Sequence, residues 1–159
     1  MDIEVASEQG FPDVESCSEE ILAITIQDYT TKKIVTWGVK PFNNKQSNVT
    51  YHCCSSEYDL LNNFINYWMV DVPDVVTGWN IQLYDIPYIC KRLNRVLGEK
   101  LMKRFSNWGL VTEGEVFING ISVSTRFGGS YYSPSNYQNQ FLKIGLGAAN
   151  EVFNGSIDD

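Results

Sequence analysis

The chain has 159 residues, 43% of them hydrophobic and 19% charged, with a formal net charge of -7. That length suits one ordinary domain, or one domain plus a fragment, and the composition excludes a disordered chain. The acidic balance argues against a general nucleic-acid coat, which would be basic overall, but leaves room for a site that holds cations among carboxylates. The charge is uneven: Met1 to Glu20 carries Asp2, Glu4, Glu8, Asp13, Glu15, Glu19 and Glu20 with no basic residue, whereas Lys91, Arg92, Arg95, Lys100, Lys103 and Arg104 crowd into one later stretch.

In chain order, Ile3 to Val5 reads as the end of a strand and Glu8 to Glu20 as a polar loop with Gly10 and Pro12. Ile21 to Ile26 is a buried strand, Ile34 to Val39 another, and Val49 to Cys53 a shorter one after a polar loop. A helix follows from about Glu57 to Met69, because Leu60, Leu61, Phe64, Ile65, Trp68 and Met69 recur at helical spacing. Ser56 and Asp59 give it a Ser-x-x-Asp start. Asp71-Val-Pro73 ends it, and Val75 to Thr77 is a short strand. A second helix runs from about Ile86 to Leu97, with Pro87 in its first turn and Gly98 just past its last. Strands and helices in this order predict a mixed sheet with helices packed on it.

Beyond Trp108 the chain turns rich in Gly, Ser, Asn and Tyr, and helical periodicity disappears. Strands are expected near Glu115 to Ile118, Ile121 to Thr125, Phe141 to Ile144 and Val152 to Ile157, with Asn119-Gly120 as a hairpin turn. The composition boundary falls between about Ser106 and Glu115, dividing residues 1–110 from a β-rich tail, 111–159.

No apolar run approaches the ~20 residues of a membrane span, and no signal peptide is visible. Cys17, Cys53, Cys54 and Cys90 form no CxxC pair, and with His52 alone nearby they read as reduced thiols.

Two clusters carry chemistry. Asp2 and Glu4, two apart on a strand, share a face. They are either a solvated strand end or a pair of hard oxygen ligands for magnesium or manganese. In Thr77-Gly-Trp-Asn80-Ile-Gln-Leu-Tyr84-Asp85 a strand ends at glycine and a carboxylate stands where a helix begins. Asp85 is either the cap of that helix or a second part of the same site. The basic stretch offers phosphate contacts or a solvated helix face.

Asp-Ile-Glu-Val near the start, then Gly-Trp-Asn-x-x-x-Tyr-Asp-x-Pro-Tyr-Ile, then Arg95-Val-Leu-Gly-Glu-Lys-Leu-Met-Lys-Arg-Phe-Ser106, resemble the 3'-5' proofreading exonuclease domain of family B DNA polymerases. The likeness is to those of tailed bacteriophages with long contractile tails in particular, and it covers Asp2 to about Leu110. The resemblance implies an α/β, ribonuclease H-like mixed sheet with flanking helices, truncated, followed by a short all-β C-terminal segment. It implies two-metal hydrolysis with Mg2+ or Mn2+: Asp2 bridging two ions, Glu4 completing one shell, Asp85 supporting the metals. Asn80 and Tyr84 would hold the terminal nucleotides of a frayed single-stranded DNA 3' end, and Phe11 could stack on an unpaired base. The partner would be the remainder of a polymerase, and the setting the cytoplasm of a phage-infected bacterium. The family's third motif, Tyr-x-x-x-Asp, is matched only by Tyr67 to Asp71, before the second motif, so impaired hydrolysis is expected.

The tail resembles something else. Val116-Phe-Ile-Asn-Gly120, Leu142-Lys-Ile-Gly145 and Val152-Phe-Asn-Gly-Ser-Ile-Asp-Asp159 look like the close of a laminin G-like, concanavalin-type jelly roll. An ordinary extension of the sheet reads equally well. The jelly-roll resemblance implies an alternative function: a non-catalytic module binding carbohydrate or protein through the tail.

Overall fold

The structure, a computed structural model, describes residues 1–7, 10–70, 72–107, 109, 111–118 and 121–128, the last two segments by their backbone. Four strands, β1 (Asp2–Val5), β2 (Ile21–Gln27), β3 (Ile34–Gly38) and β4 (Val49–Cys53), form one sheet in that spatial order. The β1–β2 and β2–β3 pairs are antiparallel and β3–β4 is parallel, so the sheet is mixed, as expected. Each strand lies within two residues of where the apolar runs predict it.

Ile21 and Ile24 are both fully buried although they are three apart, which a regular strand would place on opposite faces. The pairing explains it. Ile24 faces Ile3, Ala23 faces Glu4, and Ile21 faces Val5, so Leu22 is an extra residue in β2. This bulge turns Ile21 back onto the core face.

Two helices cover the sheet, α1 (Glu57–Trp68) and α2 (Asp85–Leu97). Ser56 caps α1 by accepting the Asp59 N–H, and the Asp59 carboxylate reaches back to the Ser55 N–H at 2.9 Å. Gly98 ends α2 at φ +87, a backbone angle that favours glycine. Leu60, Leu61, Phe64, Ile65 and Trp68 of α1 and Ile86, Ile89 and Leu93 of α2 meet Trp37 and the β2 isoleucines in one core. A short helix α3 (Glu99–Met102) and a 3-10 turn (Lys103–Phe105) follow. Phe105 is 1% exposed; its ring lies 4.6 Å from that of Trp68, whose indole N–H donates to the Phe105 carbonyl.

One predicted strand is absent. Val75 to Thr77 has no ladder; Met1 N donates to the Thr77 carbonyl at 2.8 Å, and no second backbone bond joins this segment to β1 among the described residues. A strand needs a run of such bonds, and this segment has one.

The hairpin is present: β5 (Thr112–Ile118) pairs antiparallel with β6 (Ile121–Gly128), with Ile118 opposite Ile121. That register suits the Asn119-Gly120 signal, although both residues lie outside the described set, as do the strands expected at 141–144 and 152–157. Most of the tail on which the division at residue 110 and the jelly-roll likeness rest, residues 129–159, lies outside the described set. The four cysteines are free, and no described helix is long and apolar enough to cross a membrane.

A buried ion pair ties these elements together. Arg92 of α2 donates to Glu57 of α1 through both Nε (2.8 Å) and Nη2, and Nη1 donates to the carbonyls of Cys17 and Ser18, each at 3.1 Å. Glu57 also accepts the Ile21 N–H of β2 at 2.8 Å. Arg95 donates to the carbonyls of Ser16 and Cys17, and Lys91 pairs with Glu15 at 3.2 Å. These three cations of the basic stretch therefore anchor the 13–18 loop. Neither of the readings available from sequence fits Arg92, which is buried: it is a structural ion-pair partner rather than a phosphate contact or a solvated side chain.

Candidate functional site

Strand β1 lies at the open edge of the sheet. Its burial pattern is exposed, buried, exposed over Asp2, Ile3 and Glu4, so the two carboxylates share one solvent-facing side while Ile3 enters the core. In an antiparallel edge strand, alternate N–H groups point away from the neighbour. Ile3 carries one of these, and Asp85 Oδ1 accepts it at 3.0 Å.

The reading of Asp85 as the helix cap does not hold. The N-cap of α2 is Tyr84, with no side-chain cap bond, and Asp85 is the first helical residue. Its carboxylate reaches across 82 residues of sequence to the edge of β1. Burial raises the Asp85 pKa above the ordinary carboxylate value, and the negative charge of Asp2 adds to the rise, while the Ile3 N–H opposes it. Asp2 and Asp85 thus sense each other's charge across the joint between β1 and α2.

The close approach depends on Gly78. A Cβ built there would fall on the Met1 carbonyl oxygen, so a side chain at this position would push β1 away. Two residues on, Asn80 adopts φ +52, a left-handed conformation that asparagine tolerates better than most residues. Its carbonyl accepts the N–H groups of Leu83 and Tyr84, both at 3.0 Å, closing the turn that feeds α2. Ile81 is buried and pins that turn to the core. Beside it, Gln82 Oε1 is buried with no partner among the described residues.

The structure brings Tyr84 and Phe11 together: their ring centroids are 4.9 Å apart, with Tyr88 5.5 Å beyond Tyr84. Phe11 is 84% exposed and Tyr84 is half-buried. Burial raises the Tyr84 pKa, and the charges of Asp85 and Glu4 raise it further. Asn80 is exposed on the turn before Tyr84. Trp79, 95% exposed in that same turn, was not singled out from sequence; an indole in a Gly-Trp-Asn segment has no periodicity to show whether it faces solvent or core.

The six residues singled out from sequence therefore stand as follows. Asp2 and Glu4 lie on β1, Asp85 begins α2 and accepts the Ile3 N–H of β1, and Phe11 and Tyr84 touch. Asn80 serves the connecting turn through its backbone. Among the described residues, no three His, Cys, Asp or Glu side chains converge closely enough to hold a metal ion outright. The donor types nevertheless suit a hard divalent cation, since all three groups are carboxylates.

The relatives agree with the motifs. The chain is 28% identical over 130 residues to the DNA-directed DNA polymerase of Escherichia phage RB69, covering 66% of this chain and 14% of that protein. It is 46% identical over 63 residues to the DNA-directed DNA polymerase of Enterobacteria phage T4, covering 40% of this chain and 7% of that one. Against the DNA polymerase catalytic subunit of human herpesvirus 6A it is 28% identical over 102 residues, 60% of this chain and 10% of the relative. The chain thus spans about one-seventh or less of the length of these relatives. The family pattern described as DNA polymerase family B, exonuclease domain, matches residues 1–138, across the composition boundary near residue 110, and the chain belongs to that family.

Proposed function

We propose that this chain is the 3'-5' proofreading exonuclease portion of a family B polymerase, ribonuclease H-like in fold, acting on the 3' end of single-stranded DNA within a phage-infected cell. The observation that carries the reading is the Asp85 to Ile3 hydrogen bond, which joins the second acidic motif to the strand bearing the first.

Family B exonuclease domains use divalent metals. Asp2, Glu4 and Asp85 would hold Mg2+ or Mn2+ here, and when bound such ions activate a water and stabilise the leaving 3' oxygen. Asp2 and Glu4 present their oxygens on one face of an edge strand, with Ile3 locked in the core between them. The buried Asp85 is held against β1, so ordering that carboxylate costs little at the moment of binding. Phe11 and Tyr84 supply a stacking surface for unpaired bases, and Asn80 lies on the turn beside it.

Hydrolysis by this chain is expected to be slow. The last carboxylate of the resembled family belongs to a Tyr-x-x-x-Asp segment. In the match here, Tyr67 is exposed on the surface with its ring edge-on to Trp37 at 5.0 Å, and Asp71 lies outside the described residues. The glycan- or protein-binding alternative for the tail rests on no observation among the described residues.

Manganese titration followed by electron paramagnetic resonance tests the site. Asp2→Ala/Asp85→Ala is expected to weaken Mn2+ binding at least tenfold, roughly 1.4 kcal/mol. Identical titrations of variant and wild type would sink the metal assignment.

A further inference from the structure

Three cations of the basic stretch remain after Lys91, Arg92 and Arg95 are accounted for. Lys100, Lys103 and Arg104 line a groove of about 380 Å³ between Met69 and Val72, which follow α1, and the α3 to 3-10 segment, with Asn107 also in its lining. No acidic side chain among the described residues lines it. Lys103 is held by Glu99 at 2.7 Å on the exposed surface. Lys100 has no side-chain partner among the described residues, and Arg104 donates to the thioether sulfur of Met69 at 3.5 Å, a weak acceptor for a guanidinium.

The groove is preformed. Phe105, between Arg104 and the groove residue Ser106, is buried against Trp68 and Phe64, and its carbonyl accepts the Trp68 indole N–H. The three cations therefore sit on a backbone fixed to α1, in a chain whose net charge is -7. Concentrating positive charge on one face of an acidic protein focuses the field there and favours an anionic partner. The chemistry is specific in kind: a guanidinium and two ammonium groups beside an apolar wall suit phosphodiesters flanked by sugars, with Asn107 as an added donor.

We propose that this groove is a second DNA contact, taking the phosphate backbone of single-stranded DNA away from the carboxylates. The inference rests on the reading that this domain handles single-stranded DNA. It differs in what it predicts, since backbone contacts respond to salt and require no metal.

The test is fluorescence anisotropy of a fluorescein-labelled oligothymidylate of about twelve nucleotides, titrated with the full chain in EDTA from about 50 to 200 mM NaCl. Lys100→Glu/Arg104→Glu is expected to lower the slope of log affinity against log salt by about 1.4, from about 0.7 per lost phosphate contact. It is also expected to weaken binding roughly fivefold to tenfold at the lowest salt. The conservative Lys100→Arg/Arg104→Lys variant should keep the wild-type slope. Lys33→Glu/Lys45→Glu, which reverses two exposed lysines elsewhere, serves as the control. An unchanged slope in Lys100→Glu/Arg104→Glu, an equal change in the control, or no measurable binding by the wild type would overturn the proposal. Displacement of the oligonucleotide by polyglutamate at equal charge concentration would overturn it in favour of an acidic protein partner. Failure of the metal site would appear instead as unaltered Mn2+ titrations in the Asp2 variants, and it would leave these slopes untouched.

Discussion

Replacing Arg92 by alanine breaks a buried ion pair outside the site. The guanidinium makes two bonds to Glu57 and two to the carbonyls of Cys17 and Ser18, while the residue is only 5% exposed. Glu57, equally buried, would keep its bond from the Ile21 N–H but lose its counter-charge. Water can replace the partner of Ser18, which is exposed, so the carbonyl losses are minor. The cost is dominated by the stranded carboxylate, and breaking such a pair from one side costs about 3–5 kcal/mol. Against a typical domain stability of about 5–15 kcal/mol, that removes a large share. Urea unfolding followed by tryptophan fluorescence suits the measurement, because Trp37 and Trp68 are both buried in the core. Glu57→Leu/Arg92→Met should be less destabilised than Arg92→Ala, since it strands no charge. A loss under about 1 kcal/mol for Arg92→Ala, or a double variant as unstable as the sum of the single ones, would refute this account of the pair.

Two further outcomes bear on the site. Asp85→Asn keeps an acceptor for the Ile3 N–H but removes the charge. An acid whose folded pKa lies above its unfolded one opposes folding once ionised; the penalty is fully present above the raised pKa and fades as pH falls through it. Thermal melting in EDTA should therefore show Asp85→Asn to be more stable than wild type at pH 7, with the gap closing in acid; a gap that widens in acid would contradict the stated cause. Gly78→Ala should cost about 1–3 kcal/mol in the same melts, because the new methyl collides with the Met1 carbonyl. It should also weaken Mn2+ binding as β1 shifts, and unaltered affinity would mean that the β1 to α2 joint does not position Asp2.

Much of this was legible in the sequence because the relevant physics is local. Apolar runs of five to seven residues became β2, β3 and β4, and the Ser56 start and Gly98 stop framed the two helices, since capping is settled within a turn. The pairing of Asp2 with Glu4 followed from strand alternation alone. The approach of Asp85 to Ile3 was legible only through family resemblance, because a bond spanning 82 residues leaves no local trace. What sequence could not reveal was the fate of the basic helix face. Arg92 and Lys91 are adjacent and chemically alike, yet one is buried against Glu57 and the other pairs at the surface with Glu15. Only the packing of α1 on α2 makes that distinction. The absence of the predicted Val75 to Thr77 strand has the same origin: its residues suit a strand, but a strand exists only when a partner offers a ladder.

The placement of the acidic pair follows from being on an edge. An edge strand must satisfy its outward N–H groups or expose them, and here one of them recruits a carboxylate from the first turn of a helix. Such a carboxylate also gains from the positive end of the helix dipole, which offsets part of its desolvation. The same bond that finishes the edge thus ties Asp85 to the strand that carries Asp2 and Glu4. It also sets the charges of Asp2 and Asp85 against one another. Under the proposed metal site, stability and ligand affinity are opposed at Asp85, and removing its charge should strengthen the first while weakening the second.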